Sequence, residues 1–204
     1  MNEIISNYHS DAISSFRNYE RLAEKAIDQV SDAEFFAAID AESNSIAVMV
    51  KHIAGNLDSR WRDFLTTDGE KADRNRDMEF ERAGDTRESL MQFWESGWRT
   101  LFDNVEALTE ADFSKIVTIR GEPHTVVEAI NRQLTHYAYH IGQIVFLAKH
   151  LRSSDWKTLS VPRNRSADFN QLLAEKQQAG VDDVGRFGVD RIVQEMDKEK
   201  GGPE

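Results

Sequence analysis

The chain contains no cysteine. That absence excludes disulfides, thiolate zinc sites and a cysteine nucleophile together, so any sulfur chemistry has to arrive with a substrate or partner. Basic residues are in deficit too. Lys and Arg number 25 against 36 Asp and Glu, leaving a net charge of −11, the wrong sign for a nucleic-acid binder whose backbone contacts need a basic surface. The short run Arg74, Arg76, Arg82 leans positive, but Asp77, Glu79 and Glu81 interrupt it, and it reads as a solvated face. No apolar run approaches the roughly 18 residues that a membrane span needs. The opening MNEIISNYHSD contains acids and lacks the basic start and apolar centre of a signal peptide. A cytoplasmic protein is expected, with neither nucleic acid nor membrane as partner.

What is present is helical periodicity. Ile5, Tyr8, Ala12, Phe16, Tyr19, Ala23 and Ile27 recur at steps of three and four and predict a helix from about Asn2 to Val30. Ser31 and Glu34 have capping-box spacing and open a short helical turn. A second long helix is predicted from about Ser45 to Leu65, its stripe made by Ile46, Met49, Val50, Ile53, Leu57, Trp61 and Phe64. Residues 66–81 are too polar to bury a face, Asp68-Gly69 is a turn signal, and a loop of this length invites a functional role. A third helix should begin near Asp85, capped by the Asp85 to Glu88 pair, with Gly97 marking a close helix contact. Ile116 to Ile119 and the turn Arg120-Gly121-Glu122 predict one short hairpin. The fourth helix runs from Thr125 to His150, started by the Thr125 and Glu128 capping box, with Val127, Ile130, Leu134, Tyr137, Ala138, Ile141, Val145 and Ala148 as its apolar face. The expectation is an all-α fold, a four-helix bundle with short extra helices and a small hairpin before the fourth helix. It occupies residues 1–178, and the charged, glycine-broken residues 179–204 form a polar, disordered tail.

Two histidines on the fourth helix, His136 and His140, stand one turn apart, so both rings can point the same way and ligate one ion. A third ligand has to come from elsewhere. His52, on the flank of the second long helix, is the candidate, with Asn56 one turn on to support it from behind. A lone histidine on an apolar helix is more often a hydrogen-bonded core residue than a ligand, so spacing leaves both roles open. Three imidazoles from two helices would leave coordination positions free for water or substrate. Tyr139 and Gln143 flank the pair as second-sphere candidates. His9, His124 and His150 read as surface or capping residues. No Asp or Glu lies within a turn of His136 or His140, which weighs against a metal hydrolase needing a nearby general base.

Three segments carry a resemblance to a known family: KHIAGNLDSRWRDFLTTDGEK from Lys51, NRQLTHYAYHIGQIVFLAKHL from Asn131 and WKTLSVPRNRSADFN from Trp156. Together they resemble the DinB-like superfamily of bacterial metal-binding four-helix bundles, which includes bacillithiol transferases and mycothiol-dependent maleylpyruvate isomerases. The resemblance spans roughly residues 1–178. It implies a divalent metal, zinc or nickel, held by His52, His136 and His140, and a homodimer. A histidine rather than a carboxylate at position 136 places the chain nearer the three-histidine branch. The implied activity is metal-dependent S-transfer, joining a low-molecular-weight thiol to an electrophilic substrate. A non-catalytic metal-binding stress-response protein and a metal-dependent hydrolase stand as alternatives.

Overall fold

Each long helix begins where a side chain can take up one of the first amides, which otherwise lack partners. In the computed structural model, which describes residues 2–81, 84–178, 193 and 196, α1 (Glu3–Ile27) starts at Asn2, whose Oδ1 accepts from Ile4 N at 3.0 Å. Ser31 and Glu34 form the predicted capping box of the short α2 (Asp32–Phe35). Ser45 caps α3 (Ile46–Trp61), and Thr125 with Glu128 makes the reciprocal box of α5 (Val126–Arg152). The cap of α4 (Arg87–Glu106) lies one residue beyond the expected Asp85: Thr86 and Ser89 bond reciprocally, while the Asp85 carboxylate accepts from Lys51 Nζ at 2.8 Å.

Helix α3 packs on α4 and α1 on α5, with α3 against α5 and α1 against α4 completing a helical bundle. At its centre one aromatic residue from each long helix meets the others. Phe16 of α1 lies 6.0 Å from Trp61 of α3 and 5.9 Å from Tyr137 of α5, and Trp98 of α4 lies 5.7 Å from Tyr137, ring centroid to centroid. All four are fully buried; burying a large apolar side chain contributes about 1.5–3 kcal/mol. Gly97 is the close contact its position predicted, since a Cβ there would stand 3.0 Å from Leu57 Cβ and 3.2 Å from the Ala54 carbonyl oxygen. No helix among the described residues is long and apolar enough to cross a membrane.

Two further details depart from expectation. Helix α3 stops at Trp61 rather than Leu65, because Asp63 takes φ 50° and its carbonyl accepts from the Thr66 and Thr67 amides and hydroxyls; Asp tolerates this left-handed conformation better than most residues. On α5 the buried line runs through Val126, Ile130, Gln133, Tyr137, Ile141, Ile144 and Ala148, whereas Ala138 is exposed and Val127, Leu134 and Val145 are half-buried. The core face is rotated by about one residue from the expected stripe.

The expected hairpin is present as β1 (Ile116–Ile119) and β2 (Glu122–Thr125), antiparallel, with Ile119 opposite Glu122. Arg120 and Gly121 both have positive φ, 57° and 76°, as a two-residue turn between twisted strands requires. Asp68 holds that turn from outside: its carboxylate accepts from Arg120 N and Gly121 N, each at 2.8 Å, and from Glu70 N at 2.7 Å. Partial burial pushes its pKa up, but these backbone bonds outweigh it and hold the group at about 2. The polar loop is thereby docked on the hairpin. Within it, one turn of 3-10 helix, Asp77–Phe80, lies against α3.

Residues 1–153 form one compact unit and 154–204 a second. In the second, α6 (Ser166–Gln178) follows Arg165, whose guanidinium donates to Asp168 at 2.7 Å and to the Met196 carbonyl at 3.1 Å. The expected tail, 179–204, lies outside the described residues apart from Val193 and Met196.

Candidate metal centre

His52 projects from the middle of α3, and His136 and His140 from successive turns of α5. The structure brings the three together. Their rings lie 5.4 Å (His52 to His136), 4.9 Å (His52 to His140) and 4.8 Å (His136 to His140) apart between centroids, and one nitrogen from each falls within 4.8 Å of the others. His52 Nε2 and His136 Nε2 face each other at 3.4 Å. Two nitrogens each about 2.0–2.1 Å from a tetrahedral zinc ion are separated by roughly 3.4 Å, so this pair already has the span of a tetrahedral edge. The three residues could hold a metal ion.

The orientation of two rings is fixed from behind. His52 Nδ1 donates to Glu79 Oε2 at 2.8 Å, which turns its Nε2 lone pair toward the other histidines. His140 Nδ1 donates to Gln143 Oε1 at 2.9 Å with the same result. Burial keeps His136 and His140 neutral. Desolvation, reinforced for His136 by the His140 and His52 rings, lowers its pKa to about 3; desolvation lowers His140 to about 4 against the opposing bond to Gln143. Neutral imidazole is the ligating form.

Glu79 is the residue that sequence reasoning missed. It sits in the 3-10 turn of the polar loop and is 5% exposed. Arg74 grips it with two parallel bonds, Nε to Oε1 at 2.8 Å and Nη2 to Oε2 at 2.9 Å. Burial raises the Glu79 pKa, but the bonds from His52 and Arg74 prevail and hold it below the usual carboxylate range. Arg74, expected on a solvated face, therefore has a buried side chain, 5% exposed, because Glu79 and Glu70 draw it inward; its neighbour Arg76 is exposed. Room for Glu79 is made on α3 by Gly55, where a Cβ would clash with Oε1 and stand 2.9 Å from Cδ. Loop length was one signal pointing here, and a glycine inside an apolar helix, three residues after His52, was a second.

Other expectations are redistributed. Asn56 does not reach His52; its Oδ1 accepts from the Tyr137 hydroxyl at 3.1 Å, which itself accepts from Trp61 Nε1 at 3.1 Å. Gln143 supports His140 as foreseen. Tyr139 is 59% exposed with its ring 4.5 Å from that of His140. His9 is half-buried and takes the capping role: its ring nitrogen donates to the Val105 carbonyl at 2.7 Å, in the last turn of α4. His124 is half-buried on β2 and His150 exposed.

The imidazoles of His52 and His136 form part of the wall of a cavity of about 490 Å³ that also touches Asn56, Gln133 and several arginines. A ligand occupying it would lie against the open side of the histidine cluster.

A family model described as "Protein of unknown function (DUF1572)" matches residues 3–165 of the chain. No curated protein and no solved structure matches it.

Proposed function

The chain belongs to the DUF1572 family, and from its histidine cluster we propose that it binds a divalent metal ion through His52, His136 and His140 and uses it for thiol S-transfer. The observation carrying this reading is the convergence of three imidazole nitrogens, from α3 and α5, within 4.8 Å of one another beside an open cavity. Three imidazoles suit zinc or nickel, and three protein ligands leave a position for an exogenous group, the pattern of catalytic rather than structural sites. The resemblance to DinB-like four-helix bundles supports the same assignment and extends it to a homodimer.

A bound divalent ion would deprotonate a coordinated thiol at neutral pH and so supply the nucleophile that a cysteine-free chain lacks. The chain's own residues do the positioning. Glu79 and Gln143 accept from the Nδ1 atoms of His52 and His140 and aim both Nε2 atoms inward. Arg74 neutralises Glu79, so the carboxylate orients His52 without itself adding a negative charge to the centre. Held by three bonds, Glu79 is not free to act as a general base, and among the described residues no Asp or Glu lines the cavity. That weighs against the hydrolase.

Metal-stripped protein titrated with Zn²⁺ or Ni²⁺ against a chromophoric chelator is expected to bind one ion per chain. His52→Ala and His136→Ala should each weaken binding by about tenfold or more. Metal-loaded protein should then accelerate conjugation of bacillithiol to monochlorobimane over the His136→Ala variant. One-to-one binding with no such acceleration would leave a non-catalytic metal-binding protein, and no difference in metal affinity between wild type and both variants would remove the whole reading.

A further inference from the structure

The wall of the cavity beside the histidines is strongly basic in a chain that is acidic overall. Arg60, Arg74, Arg76, Arg120 and Arg132 all line it, and among the described residues no Asp or Glu does. They come from four different parts of the fold: Arg60 from α3, Arg74 and Arg76 from the polar loop, Arg120 from the hairpin turn and Arg132 from α5. Their convergence is therefore tertiary and not a run of like residues in the sequence.

Their charges are poorly matched. Among the described residues, the ion pairs of these five guanidiniums reach only Glu79 and Glu70. Glu79 is taken by Arg74. Glu70 Oε2 is shared at 3.6 Å from Arg60, 3.2 Å from Arg74 and 3.4 Å from Arg120. Arg76 lies over the Phe80 ring at 5.1 Å, and it and Arg132 have no ion pair among the described residues. Arg60 is the informative member. Its side chain is only 7% exposed, its Nε and Nη1 are closed off from solvent with Nη1 lying against Gly69, and its Nη2 meets Glu70 at 3.6 Å, beyond hydrogen-bond length. A guanidinium withdrawn from water beside so distant a carboxylate is costly, and an oxyanion in the cavity that Arg60 lines would offset that cost. Along α3, His52, Asn56 and Arg60 follow at successive turns and all face the cavity, so an anion at Arg60 lies in line with the histidine cluster.

We propose that this cavity binds a small molecule carrying two acid groups, whose oxyanions are held by Arg60, Arg120 and Arg132 while its uncharged end lies against the three histidines. About 490 Å³ lies within the usual range for small-molecule sites. Two acid groups, rather than one, follow from the excess of five guanidiniums over the two carboxylates they meet. Carboxylate and phosphate oxygens both fit the planar guanidinium fork. The proposal rests on the metal reading only for the end of the ligand that meets the histidines; the arginine contacts stand without an ion.

The test is calorimetric titration of the full chain, both metal-stripped and metal-loaded, with succinate, inorganic pyrophosphate and propionate. Succinate or pyrophosphate should bind the metal-stripped protein at least about tenfold more tightly than propionate, and the tighter of the two identifies the acid type. Arg132→Gln, at an exposed position, should weaken that binding by about tenfold, as should Arg60→Gln if it folds, since each removes a charged hydrogen-bond donor. Arg17→Gln, which lies outside the cavity, should leave it unchanged. Equal affinity for propionate, insensitivity to Arg132→Gln, or binding that appears only with metal and vanishes in His140→Ala would overturn the proposal. Anion binding that persists in a protein that takes up no metal would uphold it while removing the metal reading.

Discussion

Gly55→Ala is the substitution whose sign the structure reverses. In the interior of a helix, alanine in place of glycine ordinarily stabilises by about 1 kcal/mol, and Gly55 lies in the middle of α3. Here the added methyl would occupy the space of the Glu79 carboxylate, 2.9 Å from Cδ and closer still to Oε1. Glu79 is buried and bonded to His52 and twice to Arg74, so it cannot swing aside without breaking those bonds. Hydrogen bonds to charged groups contribute about 1.5–3 kcal/mol each. Losing the equivalent of one or two of them, about 3 kcal/mol, less about 1 kcal/mol gained in helix propensity, leaves a net destabilisation of about 2 kcal/mol. For a chain of this length that is a fall of about 4–8 °C in Tm.

The assay is a double-mutant cycle by urea denaturation, with Gly55→Ala, Glu79→Ala and the pair. Once residue 79 is alanine the three atoms nearest the methyl at 55, all of the Glu79 side chain, are gone, so in that background Gly55→Ala should stabilise by about 1 kcal/mol, a coupling of about 3 kcal/mol. Metal affinity supplies a second readout. With Glu79 displaced, nothing orients His52, and binding should weaken about 10–100-fold. If alanine at 55 destabilises the Glu79→Ala protein as much as the wild type, the crowding comes from elsewhere. If it stabilises the wild type, Glu79 does not fill the space that Gly55 opens.

Two further predictions concern the core and α1. Tyr137→Phe strands the Trp61 Nε1 donor in a fully buried position and should cost about 1–3 kcal/mol in urea denaturation; a neutral outcome would show that the hydroxyl is not needed there. Glu20 is pushed up from 4.5 to about 7 by burial, then by Glu24 and Glu95 against the opposing charge of Arg17. A raised acid binds its proton more tightly in the folded state, so its penalty is absent below about pH 4.5 and complete above about pH 7. Glu20→Gln should therefore raise Tm at pH 8 by about 2–4 °C, once the shift is discounted for the solvent that reaches this half-buried group, and leave it unchanged at pH 4.5; a rise of equal size at both pH values would contradict it.

Local geometry was legible in the residues themselves, whereas the meeting of His52 with His136 and His140 was implied only by the family resemblance and the parts behind it were not legible at all. The Thr125 and Glu128 box, the Arg120-Gly121 turn and the parallel aim of His136 and His140 each depend on residues within four positions of one another, where helix and turn geometry dictate the outcome. Asp85 failed as a cap although its spacing was right, because Lys51, 34 residues away, supplies a competing partner. Periodicity could place His52 on a flank of α3 but could not say what the flank faces. Glu79 was invisible for the same reason: it belongs to a polar loop without periodicity, and only the docking of that loop on the hairpin through Asp68, together with the gap at Gly55, sets it behind His52. Arg74 was misjudged because a charge run gives no hint that one member is buried against a carboxylate five residues on.

How the two helices keep their imidazoles in register follows from a polar chain inside the core that joins α3 to α5. Apolar contacts are not directional, and a helix can slide against its neighbour by one turn, about 5.4 Å, with much of its burial preserved. A slide of that size would separate His52 from His136, whose nitrogens now stand 3.4 Å apart. Tyr137 follows His136 directly, so while His136 faces the cavity, Tyr137 is turned about 100° into the core. There its hydroxyl bonds both Asn56 and Trp61 of α3. Asn56 is one turn from His52, so the bond that locks α5 to α3 acts within a turn of the residues that must meet. Unlike the surrounding aromatic packing, those two bonds cannot be remade one turn away, which makes the buried hydroxyl the element that converts a packed bundle into an aligned histidine cluster.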